Sequence, residues 1–131
     1  MSMGMGAMIH TLGGGSPKNA EDYYGRKIKS VKLKDNKILI KFSDGVNIKI
    51  WDDGQSCCES RYMTTDDSLS SLAGDKLVSI LVKDGPSEEV DYNHHDIQFL
   101  EIQTDKGFVT VSTHVEHNGY YGGFGLSLDE V

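Results

Sequence analysis

The sequence predicts an α+β domain that is mostly β: six or seven strands in a largely antiparallel sheet, with one or two short helices. Apolar residues alternate with polar residues in several short segments, as in half-buried strands. Pairs of Asp, Asn and Gly separate these segments and are typical of tight turns. Helical spacing occurs only in two short stretches. With 131 residues, the chain is long enough for one hydrophobic core.

The N-terminal part is expected to differ from the rest. Residues 1–25 are predicted to form a flexible arm, whose opening is rich in methionine. The methionines suit either solvent or packing on a partner subunit. Ser16-Pro17 and Gly25 are typical of the two ends of a short helix through Ala20–Tyr24. Residues 26–131 are predicted to form a single β-rich domain.

The firmest structural prediction is a three-stranded antiparallel meander from about residue 27 to residue 51. Its turns are predicted at Asp35-Asn36 and at Ser43-Asp44-Gly45. The apolar residues that alternate along its strands are Val31, Leu33, Ile38, Ile40, Phe42, Val46, Ile48 and Ile50.

In the second half of the chain, shorter apolar runs and turn residues predict the helices and strands. A short helix is expected within residues 64–74, a strand at 77–82, and a polar loop over residues 84–95. Two further strands, at 97–103 and 108–115, flank a turn at Asp105-Lys106-Gly107. A last short strand is expected at 124–128.

The charge is unevenly distributed. The formal net charge of −7 argues against a protein that wraps nucleic acid polymer or lies on a membrane. However, eight of the 13 basic residues lie between positions 26 and 49. These lysines form either a solvated face that protects edge strands or a positive surface for an anionic ligand or an acidic partner, including another copy of the chain.

The two cysteines, Cys57 and Cys58, are expected to be packing residues in a reducing, cytoplasmic environment. Neighbouring residues on an extended strand point in opposite directions, which disfavours one metal taking both thiols. The candidate metal partners would be His94, His95, His114 and His117. The acidic residues near the thiols would raise the thiol pKa and so disfavour a cysteine nucleophile. No catalytic residue, metal or cofactor is predicted.

Two segments dense in functional groups, residues 52–62 and 114–124, are candidates for one binding site. Arg61 offers a guanidinium fork for phosphate, and Tyr62, Tyr120 or Tyr121 offers a ring for a planar base. Phe124 lies among glycines that allow close approach of either a ligand or a neighbouring strand. Asn118 either fixes a polar ligand edge or simply forms a hairpin turn with Gly119.

The segments with Gln-x-Cys-Cys-Glu at 55–59 and Asn-Gly-Tyr-Tyr-Gly-Gly at 118–123 resemble an uncharacterised domain family of bacteria and their phages. The resemblance covers roughly residues 26 to 128 and implies no catalytic residues. In size and layout the chain also resembles the phage anti-Thoeris sponge proteins. These are oligomers that sequester cyclic ADP-ribose-type signals with arginine, aromatic and asparagine side chains.

The resulting expectation is a non-enzymatic phage or prophage protein of the bacterial cytoplasm. It would sequester a small nucleotide-like anionic signal, such as a cyclic ADP-ribose derivative or a cyclic oligonucleotide, as a homo-oligomer. The alternative is a protein-interaction domain without a small ligand, and a cysteine/histidine metal or hydrolase site is a third interpretation.

Overall fold

A computed structural model describes residues 20–52, 59–91, 93–117 and 124–131. These residues contain eight strands and two short 3-10 helices. The strands are β1 (Ile28–Lys34), β2 (Lys37–Phe42), β3 (Asn47–Asp52), β4 (Glu59–Thr64), β5 (Leu77–Val90), β6 (Asn93–Thr104), β7 (Phe108–His117) and β8 (Leu126–Glu130). The helices span Ala20–Tyr23 and Leu69–Leu72.

The strands form two four-stranded antiparallel sheets rather than one sheet of six or seven. The first sheet has the order β1-β2-β3-β8, and the second has the order β4-β7-β6-β5. The mostly β class is confirmed, whereas the predicted strand number and single-sheet layout are wrong. Among residues 20–52, 59–91, 93–117 and 124–131, the helical content is limited to the two 3-10 helices, which lie within the two stretches where short helices were expected.

The first sheet contains the predicted meander. Asp35 and Asn36 both have positive φ angles and connect Lys34 to its partner Lys37, as in a two-residue hairpin turn. Gly45 also has a positive φ and closes the second turn. The C-terminal strand β8 then pairs with β3, so the end of the chain completes this sheet.

The second sheet contains two features that the sequence pattern did not indicate. Strand β4 was not predicted, and the expected loop at 84–95 is instead the distal half of a long β5–β6 hairpin. Pro86 is tolerated because β5 is an edge strand, and the register shifts between Asp84 and Ser87. Ladder hydrogen bonds from the distal part of β5 to β6, and from the start of β6 to β7, therefore stabilise this part of the hairpin, although most of its side chains are polar.

One hydrophobic core is shared by both sheets. Its members come from the inward faces of β1, β2, β3 and β8 on one side and of β4, β5, β6 and β7 on the other, together with apolar residues of the two 3-10 helices. At one edge, backbone hydrogen bonds join the start of β1 to the segment that precedes β5, including Ile28 N to Asp75 O at 2.7 Å. The ring of Tyr23 stacks on Phe42 with 5.9 Å between centroids, which anchors the first 3-10 helix to the core.

Candidate functional site

Arg61 lies in a buried ion cluster on the inward side of β4. Its Nη1 donates hydrogen bonds to both carboxylate oxygens of Asp52, at 3.0 and 2.8 Å, and its Nε donates to Glu59 Oε1 at 3.0 Å. The three side chains are only 7%, 5% and 0% exposed for Arg61, Asp52 and Glu59. Burial by itself lowers the pKa of Arg61, but the hydrogen bonds to Glu59 and Asp52 outweigh it, and the net shift is upward.

This cluster ties the two sheets together. Asp52 is the last residue of β3, Glu59 and Arg61 lie on β4, and the backbone N–H of Gly125, just before β8, donates to Asp52 Oδ1 at 3.2 Å. The first hairpin adds a further link, since the backbone N–H of Met63 donates to Asn36 Oδ1 at 3.2 Å. The guanidinium that was expected to hold phosphate therefore has a structural role in these contacts.

Arg61 and Tyr62 point to opposite faces of the second sheet. Arg61 faces the shared interior, while Tyr62 stacks on His114 on the outer face. A pocket of about 20 Å³ beside Arg61 is lined by Asn36, Asp52, Arg61, Tyr62, Met63 and Thr113. That volume suits one water molecule, whereas small-molecule sites usually enclose about 300–1,000 Å³.

The outer face around Tyr62 carries a hydrogen-bonded histidine pair. Tyr62 and His114 have ring centroids 4.6 Å apart and planes within 8° of parallel. His114 Nδ1 lies 2.9 Å from His95 Nε2, and His114 Nε2 lies 2.8 Å from Thr64 Oγ1. Burial, and then the nearby His95, lower the pKa of His114 against an opposing effect of Glu116.

The tyrosine hydroxyl is also engaged. It donates a short hydrogen bond to Glu116, and this bond is the main reason that the pKa of Tyr62 rises to about 12. Tyr62 therefore remains a neutral donor at physiological pH. The ring stacks on His114 and also lies 6.3 Å from the ring of His95, tilted by 38°.

The other two of the four candidate metal-binding histidines lie on the inward side of the same sheet end. His94 and His117 stack with centroids 4.9 Å apart, and His117 Nε2 lies 2.7 Å from Asp96 Oδ2. Burial tends to raise the pKa of Asp96, but hydrogen bonds from Ser87 and His117 outweigh it and the net shift is downward. The four histidines thus divide between two faces. Within the described ranges, no three His, Cys, Asp or Glu side chains converge as metal ligands.

Of the other predicted site residues, the structure describes only Phe124. Phe124 is half-buried and packs against the hydrophobic core. Asn118, Tyr120 and Tyr121 lie outside the described residues, as do Cys57 and Cys58. The proposed junction of segments 52–62 and 114–124 therefore stays a prediction. Its described part consists of the Arg61 cluster, the Tyr62–His114 stack and Phe124.

A second candidate site is the outer face of the first sheet. Pairing in register places Lys34, Lys37 and Trp51 side by side across three strands, with Lys32 and Lys49 in the next row. Because alternate residues share a face, Lys41 lies on this face as well. We call this surface the basic face; it comprises Lys32, Lys34, Lys37, Lys41, Lys49 and Trp51.

Trp51 is held in place at one end of the basic face. Its indole N–H donates to Asp129 Oδ2 at 2.8 Å. The Nζ atoms of Lys49 and Lys37 lie 4.9 and 5.6 Å from the centroid of its ring, which are cation–π distances. The basic face therefore combines one oriented aromatic ring with five ammonium groups.

Comparison with known families identifies the domain. A family model described as a domain of unknown function, DUF7448, matches residues 21–125. The chain belongs to the DUF7448 family. The expectation of an uncharacterised domain family is confirmed at this level.

No curated protein and no solved structure matches this DUF7448 domain. Among its described residues, helices are too short and too polar to cross a membrane.

The basic face of the DUF7448 domain had a signal in the sequence. Lys32 and Lys34 on β1, Lys37 and Lys41 on β2, and Lys49 before Trp51 are each separated from their strand neighbours on this face by an even number of residues, so strand periodicity alone assigns them to one side. The position of Trp51 among them depends on the hairpin register, which the turn residues Asp35 and Asn36 determine. Sequence reasoning found the charge but overlooked the aromatic residue.

Proposed function

We propose that this protein is a non-enzymatic binding domain for a nucleotide-like anionic ligand, which it contacts through the basic face. The observation that carries the proposal is the placement of five lysines and Trp51 on one sheet face of a chain with a net charge of −7. The lysines would pair with phosphate oxygens and Trp51 would stack on a base. In its specific form, the proposal is that a phage or prophage protein sequesters a cyclic ADP-ribose derivative or a cyclic oligonucleotide on this face.

Charge and orientation support this surface over the Arg61 side. Arg61 already has two carboxylates within hydrogen-bond distance, at 2.8 and 3.0 Å, which compensate its positive charge. The basic face has five ammonium groups against Asp129, the acid that accepts from Trp51. An incoming phosphate is therefore attracted more strongly to the basic face than to the Arg61 side.

Thermal melting with a panel of ligands tests the proposal. A bound ligand at 100 times its dissociation constant adds about 2.7 kcal/mol of stability. We expect such a shift with at least one cyclic ADP-ribose isomer or cyclic oligonucleotide, and its loss in the double variant Lys37→Gln/Lys49→Gln. The control Lys76→Gln/Lys106→Gln removes the same charge from exposed positions elsewhere and is expected to keep the shift. Equal loss in both variants would contradict a localised site.

The second candidate function is a protein-interaction domain. Phe108 is 62% exposed and Val78 is 48% exposed. The strand register places both at the same end of the second sheet, through the pairs Ser79–Gln103 and Gln103–Phe108. Exposed apolar residues of this kind favour a contact with another chain, including a second copy.

Sedimentation over a range of protein concentrations tests the second candidate. We expect self-association that Phe108→Ser abolishes. The polar exchange Thr110→Ser, one outward position along β7, is the control and is expected to retain it. A chain that sediments as a monomer at every concentration would contradict contact between copies.

A further inference from the structure

We infer that the ligand of the basic face is a single-stranded oligonucleotide that presents three or more phosphates, rather than a mononucleotide. This inference rests on the proposed function and names the ligand class for the same surface. Its basis is the number, spacing and arrangement of the cationic groups around Trp51.

The cations are spread too widely for one phosphate. Lys37 and Lys41 are four residues apart on β2, which corresponds to roughly 13 Å along the strand. Lys32 on β1 and Lys49 on β3 are separated by two strand spacings, or roughly 10 Å. A ligand that reaches all of these ammonium groups has to carry several phosphates along an extended backbone.

The construction of the surface also favours a single-stranded oligonucleotide as the ligand. The basic face is built from side chains that project from three adjacent strands, and small-molecule sites are normally concave. Proteins that bind single strands combine a positively charged surface with aromatic side chains on which bases stack. Trp51 and its flanking lysines provide both components on one sheet.

Replacing the lysine contacts on the Trp51 ring with a stacked base favours binding of the oligonucleotide. Lys37 and Lys49 would leave the indole ring for phosphates, which gives up cation–π contacts worth about two- to fivefold each at exposed sites. Stacking of one base on the ring contributes roughly five- to 150-fold in affinity, and the two ammonium groups gain phosphate contacts. The fixed hydrogen bond from Trp51 to Asp129 keeps the ring oriented throughout.

The same geometry selects a single strand and limits its length. Bases within a duplex are already stacked, so a duplex cannot place one on Trp51 without being opened. The net charge of −7 repels phosphates beyond the basic face. The site should therefore span only the few nucleotides that five lysines can contact.

The test is the anisotropy of a fluorescein-labelled thymidine octanucleotide, titrated with the full chain at several salt concentrations. The logarithm of the binding constant is expected to fall with the logarithm of salt concentration by about 0.7 per phosphate contact, or about 3.5 for five contacts. Lys41→Gln should reduce this slope by about 0.7, and the control Lys106→Gln should leave it unchanged. Trp51→Phe should weaken binding while retaining the slope.

Three outcomes distinguish the oligonucleotide inference from the proposed anion-binding function on which it rests. Tight binding of the octanucleotide, with the expected slope and much weaker binding of thymidine monophosphate and of an octamer duplex, supports the inference. If the monophosphate or cyclic ADP-ribose competes as well as the octanucleotide, with a slope of about 1.4 or less, the oligonucleotide class is overturned and the proposed function stands. If none of these ligands binds, the proposed function fails as well.

Discussion

Arg61 shows how the role of a residue depends on the face of the strand from which it projects. On β4, Glu59, Arg61 and Met63 point inward and Tyr62 points outward. Neighbours in the sequence therefore belong to different environments, one a buried ion cluster and the other a stack with His114. A ligand on the outer face contacts Tyr62 without reaching the guanidinium of Arg61.

Arg61→Ala is expected to destabilise the fold strongly. Removing the guanidinium takes a hydrogen-bonded positive charge away from the buried carboxylates of Asp52 and Glu59, and breaking a buried pair in this way costs about 3–5 kcal/mol. Denaturant unfolding measures the change. Arg26→Ala is the control, because Arg26 forms a more exposed ion pair with Asp44 and a cation–π contact with Tyr23, and the loss of both should cost about 0.5–2 kcal/mol. Similar values for the two variants would contradict a structural role for Arg61.

His114 is expected to make the fold less stable in acid. Its folded-state pKa lies below the ordinary value of 6.5, so the unfolded chain binds this proton more tightly. The stability is fully present above pH 6.5 and falls as the pH drops from 6.5 towards the folded-state pKa. Unfolding free energies at pH 7.5 and pH 5.5 measure the loss, which should be smaller in His114→Gln. An unchanged pH dependence in that variant would assign the acid sensitivity to other groups.

The elements divide into those that the sequence pattern reveals and those that it hides. The meander was predictable because its inward positions are apolar and its turns contain Asp-Asn and Asp-Gly. Strand β4 was hidden because two of its inward residues, Glu59 and Arg61, are charged, so the usual apolar alternation is missing. The distal β5–β6 hairpin was hidden for a related reason: Glu88, Glu89, His94 and His95 offer no apolar face, and Gly85-Pro86 resembles a turn.

Gly85 is expected to be essential to this hairpin. A Cβ atom at position 85 would lie 2.7 Å from the carbonyl oxygen of Ile97 and 2.9 Å from the ring of Phe99. Gly85→Ala should therefore shift the strand and cost about 1–3 kcal/mol in unfolding free energy. Gly107→Ala is the control, since a Cβ there meets nothing within 4 Å. A neutral effect at both positions would mean that the hairpin accommodates the methyl group.

At the scale of the whole molecule, the two sheets share a core but differ in charge. The first sheet carries the basic face, while most acidic residues lie outside its first three strands. Net charge alone therefore describes this protein poorly, because −7 is the sum of positive and negative charges that lie on different surfaces. Length and periodicity predicted a single small β domain, but pairing between distant strands, such as β3 with β8, divides it into two sheets. Local patterns carry no information on such pairing.

The most direct test of anion binding on the basic face is the fluorescence of Trp51, the single tryptophan of the chain. Its emission should be quenched saturably by a nucleotide-like ligand, because a base stacks on the indole ring and the lysines move away from it. Lys37→Gln/Lys49→Gln should weaken the titration, and Lys76→Gln/Lys106→Gln should leave it unchanged. Stable binding of such a ligand, measured calorimetrically, with no change in Trp51 emission would contradict the account and place the site elsewhere.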